Sequence, residues 1–371
     1  MNTFSVLPLA FTVRPELGNP YEVEGVLNPA AVRGPDGQLY LFPRMVGEGN
    51  YSRIGVMRVV FDDEGDPHHV ERLGVALEPE AAYELREDGG GCEDARVTYV
   101  SALDAYVMTY TAYSPAGPRI ALASSKDLLT WQRLGLANFS PLEDISFQDI
   151  DDKDASVFPL AVPNASGQPE LAMLHRPLFP GNTLEENWAR GDERVIDVRR
   201  ESIWISYSTI RSDDENLRDL VNFRAHHRLA SPVEPWESLK IGAGTPPVAT
   251  HLGWLIVYHG VASVTPTGGG DPRLTYRAGV MVLDRDHPEH LIYRSSHPIL
   301  SPDPQAPHLD VAADVIFPTG IDRRDDIGQP DRFDVYYGLN DATIGAARLY
   351  VPPDLPRRAR RDANGTHGAD E

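Results

Sequence analysis

One pattern of short strands returns again and again along this chain, and few folds can absorb it. Runs of Val, Ile, Tyr and Thr are bounded by Gly, Pro, Asp and Asn from end to end. They recur as a unit in which a polar residue opens a first strand, a hairpin with Asp or Gly leads to a second, and a small-residue third strand follows. The first copy runs from Asn28 through AAVRGPDGQLYLFPR to RIGVMRVVF at Arg53–Phe61. The second runs from Asp94 through ARVTYVSALDAYVMTYTAY to RIALASS at Arg119–Ser125. A third opens at Lys153 and Asp154, continues at Glu170–Pro177 and reaches Ser202–Ser208. The fourth covers Pro246–Val261 and Tyr276–Asp284, and the last covers Asp314–Gly320, Arg332–Asp341 and Ile344–Val351.

No copy is large enough to bury its own apolar face, so the copies must stack on one another. The spacing predicts an all-β chain folded as a five-bladed β-propeller, a single domain over residues 1–355. Residues 356–371 have almost nothing apolar to bury and are expected to form a disordered tail. A sandwich or barrel is the alternative all-β arrangement. In a propeller, matched polar residues of successive copies meet near the axis. That places Asn28, Arg44 and Arg53 with Glu93, Asp94 and Arg96, with Lys153, Asp154, His175 and Arg176, with His259 and Tyr276, and with Asp314 and Asp341.

Mixed carboxylates and cations suit a sugar site with an anion subsite: carboxylates bond hydroxyls and supply a proton, while Arg, Lys and His hold an acid. The densest signal is GGGCEDARV at Gly89–Val97, a glycine run that admits close backbone approach to a ligand, followed by two acids and an arginine. Neighbouring side chains on a strand face opposite ways, so one of Glu93 and Asp94 should enter the pocket while the other braces Arg96 or a loop. Asp94 is the candidate acid; the bland reading of the same residues is a surface ion cluster. MLHRP offers His175 and Arg176 to an anion, against a structural arginine bridging two blades. His259 in VYHGV is either a ligand or a satisfied core histidine.

Charge and composition exclude several classes. With 34 basic against 55 acidic residues the net charge is −21 and the bases are scattered, so nucleic acid is not an expected partner. Cys92 is alone, which rules out an internal disulfide and a cysteine zinc site, and the adjacent pairs His68–His69 and His226–His227 do not suit a metal. No charged-then-apolar leader opens the sequence and no window matches a membrane span, so a cytoplasmic protein without membrane partners is expected. No cofactor is called for, and homo-oligomerisation stays open.

These blocks resemble glycoside hydrolase family 130, the β-mannoside phosphorylases and related hydrolases. The likeness runs from about Asn28 to Val351 through NPAAV, GCEDARV, KDASVFP, MLHRP, IWISYS, GAGTPPV, GWLIVYHGV, YRAGVMVLD and VYYGLNDATIG, in that order. It implies a five-bladed propeller, with Asp94 as general acid acting through a hydroxyl of the bound mannose. Asn28, Arg44 and Asp341 would line the sugar subsite, with Glu93, Arg96, Asp154 and His175 as further substrate contacts. Inorganic phosphate, the co-substrate, would be held by Arg53, Lys153, Arg176, His259 and Tyr276 and would attack the anomeric carbon from the opposite face to give α-mannose 1-phosphate.

Two departures stand out. Ala95 replaces the proline of the family's Glu-Asp-Pro-Arg block, and Ala249 stands where many phosphorylases carry a lysine for phosphate, a charge Lys153 could replace. The close rival is inverting hydrolysis, with Glu201 or Asp314 activating water. A noncatalytic sugar-binding propeller is a different class of answer. The arabinan and fructan hydrolases are disfavoured, since Asn28-Pro29-Ala30 offers no early acid.

Overall fold

The computed structural model describes residues 3–143, 145–179, 201–210, 217–265, 272–302 and 313–356; the expected tail lies almost wholly outside them. Their regular structure is strand, interrupted by short 3-10 turns. The strands form five successive antiparallel sets. The first is Gly25–Arg33, Leu39–Gly47, Tyr51–Phe61 and Pro67–Leu77. Gly90–Val100, Ala105–Ser114, Gly117–Ser125 and Gln132–Leu136 make the second. Asp151–Val157, Pro169–Leu178, Ile203–Ser208 and Asn222–Ala230 make the third. In the fourth, the short strands Lys240–Gly242 and Val248–Thr250 share the edge of Gly253–Val264, followed by Arg273–Leu283 and Leu291–Arg294. The fifth is Ala313–Arg323, Arg332–Leu339 and Thr343–Tyr350, completed by Ser5–Val13 from the other end of the chain.

Each set therefore has an outer strand beyond the three legible in the repeat. The outer strands are short or half exposed, as in Gln132–Leu136, and carry too little apolar alternation to be read locally.

The apolar core is divided among the seams between sets, and the seams close on themselves. Phe42, Ile54 and Val56 of the first set pack on Val97, Tyr110 and Ala121 of the second. Val107 and Leu122 meet Leu171, Met173 and Trp204, and Leu174, Ile205 and Tyr207 meet Trp254, Ile256 and Met281. Leu255 and Val280 meet Ile316, Val335 and Leu349, while Tyr336, Ile344 and Ala346 return to Val26, Leu39 and Met57. Charge reinforces this last seam: Arg33 Nη2 lies 2.6 Å from Asp322 Oδ2, and Arg332 Nη2 lies 2.6 Å from Asp66 Oδ1. No helix among the described residues is long and apolar enough to cross a membrane.

A local device repeats in the first strand of three sets. The register slips between Leu27 and Ala30, between Glu93 and Arg96, and between Lys153 and Ser156. The slipped residues Asn28, Asp94 and Asp154 have φ of 47°, 50° and 58°. Left-handed backbone is tolerated by Asn and Asp far better than by other side-chain-bearing residues, and a bulge re-aims the side chain it carries. In these three sets the polar residue that opens the repeat is thus one the bulge tolerates.

Candidate active site

Asp94 stands on its bulge with its carboxylate gathered by the first set. Asn28 Nδ2 donates to Asp94 Oδ1 at 2.8 Å, and Arg44 Nη1 lies 3.7 Å from the same oxygen. Arg44 also reaches Glu93, with Nη2 3.0 Å from Oε1, and its Nε donates to Ser52 Oγ at 2.8 Å. Glu93 and Asp94 therefore share one guanidinium. This corrects the expectation that they face opposite ways: strict alternation fails where a bulge supplies a positive φ. Asp341 lies on the turn after Arg332–Leu339, and its carboxyl is pushed up by desolvation and then by Asp94, against the pull of Arg44.

The glycine run before Asp94 is required by the packing of the chain itself. Gly91 has φ of 105°, and any side chain there would strike the carbonyl of Ser52, its neighbour in a short parallel pairing between the first two sets. The run lets those sets close up beneath Asp94.

A second group forms where the third, fourth and fifth sets approach. Arg176 Nε donates to Asp154 Oδ2 at 2.6 Å and Arg176 Nη1 bonds Glu201. Lys240 Nζ lies 3.9 Å from Glu201 Oε2, and 5.6 Å over the ring of Tyr276. His259 Nε2 is 3.6 Å from Asp154 Oδ2, and its ring packs 4.4 Å from that of Phe317. Burial alone would raise the Asp154 carboxyl, but Arg176, His259 and Arg96 overcome it and hold the group well below the usual carboxylate range.

Arg96 joins the two groups. Its Nη1 donates to the backbone oxygen of Asp94, its Nε donates to the Gly244 carbonyl at 3.0 Å, and its Nη2 lies 3.7 Å from Asp154 Oδ1. That Nη2 and both ring nitrogens of His259 are buried without a hydrogen-bond partner among the described residues. Buried polar atoms without partners are rare in native structures and point to something that binds there.

Three expected site residues are placed elsewhere. His175 is wholly buried, with Nδ1 2.7 Å from Asp152 Oδ2 and Nε2 2.7 Å from Ser206 Oγ, so both nitrogens are taken inside the third set. Arg53 binds Glu78 at 2.6 Å between the rings of Tyr21 and Tyr51, lining a cleft of about 620 Å³ whose walls do not include Arg176 or His259. Lys153 has its ammonium 5.5 Å over the ring of Tyr113, a residue that lines a neighbouring cleft of about 690 Å³. Lys153 directly precedes the bulge residue Asp154 and His175 lies opposite that register slip, where period-two reasoning misdirects a side chain.

Ala249 packs against the apolar seam containing Trp254, so a lysine there would not be aimed at Arg176. The lysine of this group is Lys240, which sequence reading missed although it stands two residues before the GAGTPPV block. Of the two carboxylates considered for activating water, Glu201 is paired with Arg176 and Lys240, and Asp314 lies beside Arg277.

Gly242 faces this group without a side chain. A methyl there would overlap Asp154 Oδ2 and the His259 ring. Gly242→Ala should therefore part Asp154 from His259 and weaken anion binding by roughly tenfold or more, read as a rise in the half-saturating anion concentration.

Burial lowers the pKa of His259 to about 3 from 6.5, aided by Arg176, Arg96 and Lys240 and opposed by Asp154. His226 falls to about 4, through burial first and then His175, opposed by its bond to the Ser140 backbone. Both are neutral when folded and gain protons on unfolding at acid pH. Their contribution to stability is complete above about pH 6.5 and is lost as the pH falls toward the folded values. Tm should drop between about pH 7 and about pH 5, and His259→Phe should flatten that drop.

Comparison with known proteins adds the following. A family model described as beta-1,4-mannooligosaccharide phosphorylase matches residues 10–352. A 1,2-beta-oligomannan phosphorylase of Thermoanaerobacter sp. (strain X514) is 28% identical over 341 residues, covering 90% of this chain and 93% of that one. The solved beta-1,2-mannobiose phosphorylase of Listeria innocua, in complex with beta-1,2-mannobiose, superposes with a TM-score of 0.66 at 21% identity, over 93% of this chain and 97% of that one. Another solved structure, described under the statement that the GH130 family of mannoside phosphorylases contains glycoside hydrolases that target beta-1,2 mannosidic linkages in Candida mannan, gives a TM-score of 0.61 at 23% identity, over 93% of this chain and 96% of that one.

Proposed function

The chain is an enzyme of glycoside hydrolase family 130, the beta-1,4-mannooligosaccharide phosphorylase family, and from that membership we propose that it cleaves a β-linked mannoside by inverting phosphorolysis. The closed series of strand sets is read as the blades of a five-bladed propeller, with the two groups of side chains on its axis. Asn28, Arg44, Glu93 and Asp341 hold the sugar around Asp94. The anion takes its place against Arg96, Arg176, Lys240, His259 and Tyr276.

In the reaction an oxygen of inorganic phosphate forms a bond to the anomeric carbon as the glycosidic carbon–oxygen bond breaks. A proton from Asp94, passed directly or through a mannose hydroxyl, neutralises the departing oxygen. Attack from the face opposite the leaving group yields α-mannose 1-phosphate and the shortened acceptor. Neutral His259 costs the anion less than a buried imidazole cation would cost the fold, and it still offers one N–H.

The observation that carries this reading is the buried guanidinium of Arg96 with a free N–H beside the two unpartnered nitrogens of His259. A water nucleophile needs neither, and Glu201 is tied to two cations where inverting hydrolysis would want it against water. β-1,2- and β-1,4-mannobiose incubated with and without inorganic phosphate provide the test. Phosphate-dependent consumption with a new ³¹P signal for α-mannose 1-phosphate is expected; mannose released as fast in phosphate-free buffer would overturn the reading in favour of hydrolysis.

A further inference from the structure

Two open clefts lie on the first and second strand sets, and the reaction above uses neither. The larger, about 690 Å³, is walled by Tyr113, Gly117 and Asp151; the smaller, about 620 Å³, is walled by Tyr21, Tyr51 and Arg53. Arg86, Glu87 and Asp88 line both, so this short stretch divides one cleft from the other. Sites for small molecules commonly span roughly 300–1,000 Å³ and combine apolar walls with a few polar groups. Here Leu85 in the larger cleft and Tyr21 in the smaller are exposed apolar side chains beside charged ones. A sugar presents both kinds of surface, C–H faces for the first and hydroxyls for the second.

The clefts border the acid. Arg44, which Glu93 and Asp94 share, donates from Nη2 to Asn50 Oδ1 at 3.1 Å. Asn50 stands between the cleft residues Gly49 and Tyr51, and its carbonyl accepts the backbone N–H of Gly90 at 3.1 Å. One guanidinium and one hairpin tip therefore separate Asp94 from the cleft wall. In an inverting reaction the attacking and leaving oxygens lie on opposite faces of the anomeric carbon, and the proton is delivered on the leaving side. The anion group centres on the third, fourth and fifth sets. The leaving group then departs over the first two, where the clefts are.

The dividing stretch is firmly anchored. It ends the connection from Leu77 to Gly90, whose first half wraps round the buried carboxylate of Glu84. Glu84 Oε2 accepts the backbone N–H groups of Glu80 and Ala81 at 2.9 and 3.0 Å, while Oε1 accepts from Arg133 Nε at 2.9 Å and from the Tyr110 hydroxyl. Arg133 also donates to the Glu78 carbonyl, and the Glu78 carboxylate holds Arg53 in the smaller cleft. Two residues beyond Glu84, Arg86 lays its guanidinium 4.8 Å over the Tyr113 ring and donates from Nε to Asp88 Oδ1 at 2.9 Å. Gly90 makes room for it: a methyl there would overlap the Tyr113 carbonyl and come within 3.3 Å of Arg86 Cδ. A guanidinium has five N–H donors, more than Asp88 and the Tyr113 ring occupy.

We propose that Arg86 binds the leaving-group end of the mannoside, holding hydroxyls of the units beyond the cut from the wall the two clefts share, and that buried Glu84 is its positioning residue. The enzyme is then suited to chains that extend past a single acceptor unit over the first and second sets. This assignment rests on the phosphorylase reading for the side on which the leaving group departs. Arg86 touches no reacting atom, so its contribution falls on acceptor affinity.

Running the reaction in reverse with the full chain isolates that affinity. α-Mannose 1-phosphate donates to mannose or to mannobiose, β-1,2- or β-1,4-linked according to the linkage cleaved, and wild type should show the lower KM for the biose. Arg86 is partly exposed, so Arg86→Ala should keep the fold. It should raise the KM for mannobiose by roughly tenfold and leave that for α-mannose 1-phosphate within about twofold. Glu84→Gln should lower Tm and raise the same acceptor KM, whereas lost folding alone would lower only the apparent kcat. An unchanged acceptor KM in Arg86→Ala, or an equal rise in both KM values, would overturn the proposal; an unchanged acceptor KM in Glu84→Gln would overturn the positioning role. Wild type that makes no product from α-mannose 1-phosphate would remove the phosphorylase reading instead. The same contrast is then read in hydrolysis: Arg86→Ala must raise the KM for mannotriose and spare that for p-nitrophenyl β-mannoside, or the proposal falls as well.

Discussion

Asp94→Asn is expected to lower kcat by roughly three orders of magnitude while leaving the mannoside KM within a few-fold of wild type. Asparagine is the right probe because residue 94 has φ of 50°, a conformation Asn accepts and most residues do not. The amide oxygen can keep the bond from Asn28 Nδ2, so the change removes the transferable proton and little else. Asp94→Ala would mix loss of chemistry with backbone strain and is the poorer experiment. Steady-state kinetics with a thermal melt decide the matter: wild-type turnover by a well-folded Asp94→Asn would place the proton donor elsewhere. A substrate with a highly acidic leaving group needs less protonation, so it should recover much of the lost rate.

Arg176→Met should have the next largest effect, and on two observables at once. Arg176 neutralises both Asp154 and Glu201, each nearly inaccessible to solvent. Removing one member of a buried ionic cluster leaves its partners charged in a poor dielectric, at a cost of about 3–5 kcal/mol in stability. The half-saturating phosphate concentration should rise by about a hundredfold or more, because a planar guanidinium offers paired charge-assisted bonds that Met cannot replace. The mannoside KM should change far less, since Asn28, Arg44 and Asp94 lie in the other group. Arg176→Lys should recover part of the stability but little of the phosphate affinity, because an ammonium lacks the fork. An equal rise in both KM values would mean that Arg176 supports the whole site and not the anion.

The all-β class and the family were legible from the chain because they rest on patterns that are local or ordered along it. The alternation of Val, Ile and Tyr, the turn residues between strands and the order of blocks from NPAAV to NDATIG survive without any knowledge of contacts. The repeat was legible only in its inner strands. The outer strand of the fifth set, Ser5–Val13, is contributed from the opposite end of the chain, so no local reading could assign it to Thr343–Tyr350.

The candidate site was legible in its residue types and less so in their roles. Asn28, Arg44, Glu93 and Asp94 do come together, as do Asp154, Arg176, His259 and Tyr276. Arg53, Lys153 and His175 were assigned by repeat position, yet their side chains bind Glu78, lie over Tyr113, and lie between Asp152 and Ser206. Lys240 and Glu201 went unranked as a pair because they belong to different repeats and meet only once the third and fourth sets are packed together.

By itself the sequence determined the all-β class, the repetition of small β units along the chain and the order of the family's blocks. Only the tertiary structure decided which carboxylate shares which guanidinium, which histidine has both nitrogens bonded within one strand set and which is left with open nitrogens. The physical reason is that strand pairing and turns are written in neighbouring residues, whereas the aim of a side chain beyond a bulge depends on strands tens of positions away or more. Charge balance in a buried site belongs to the assembled set of groups, so no single segment carries it.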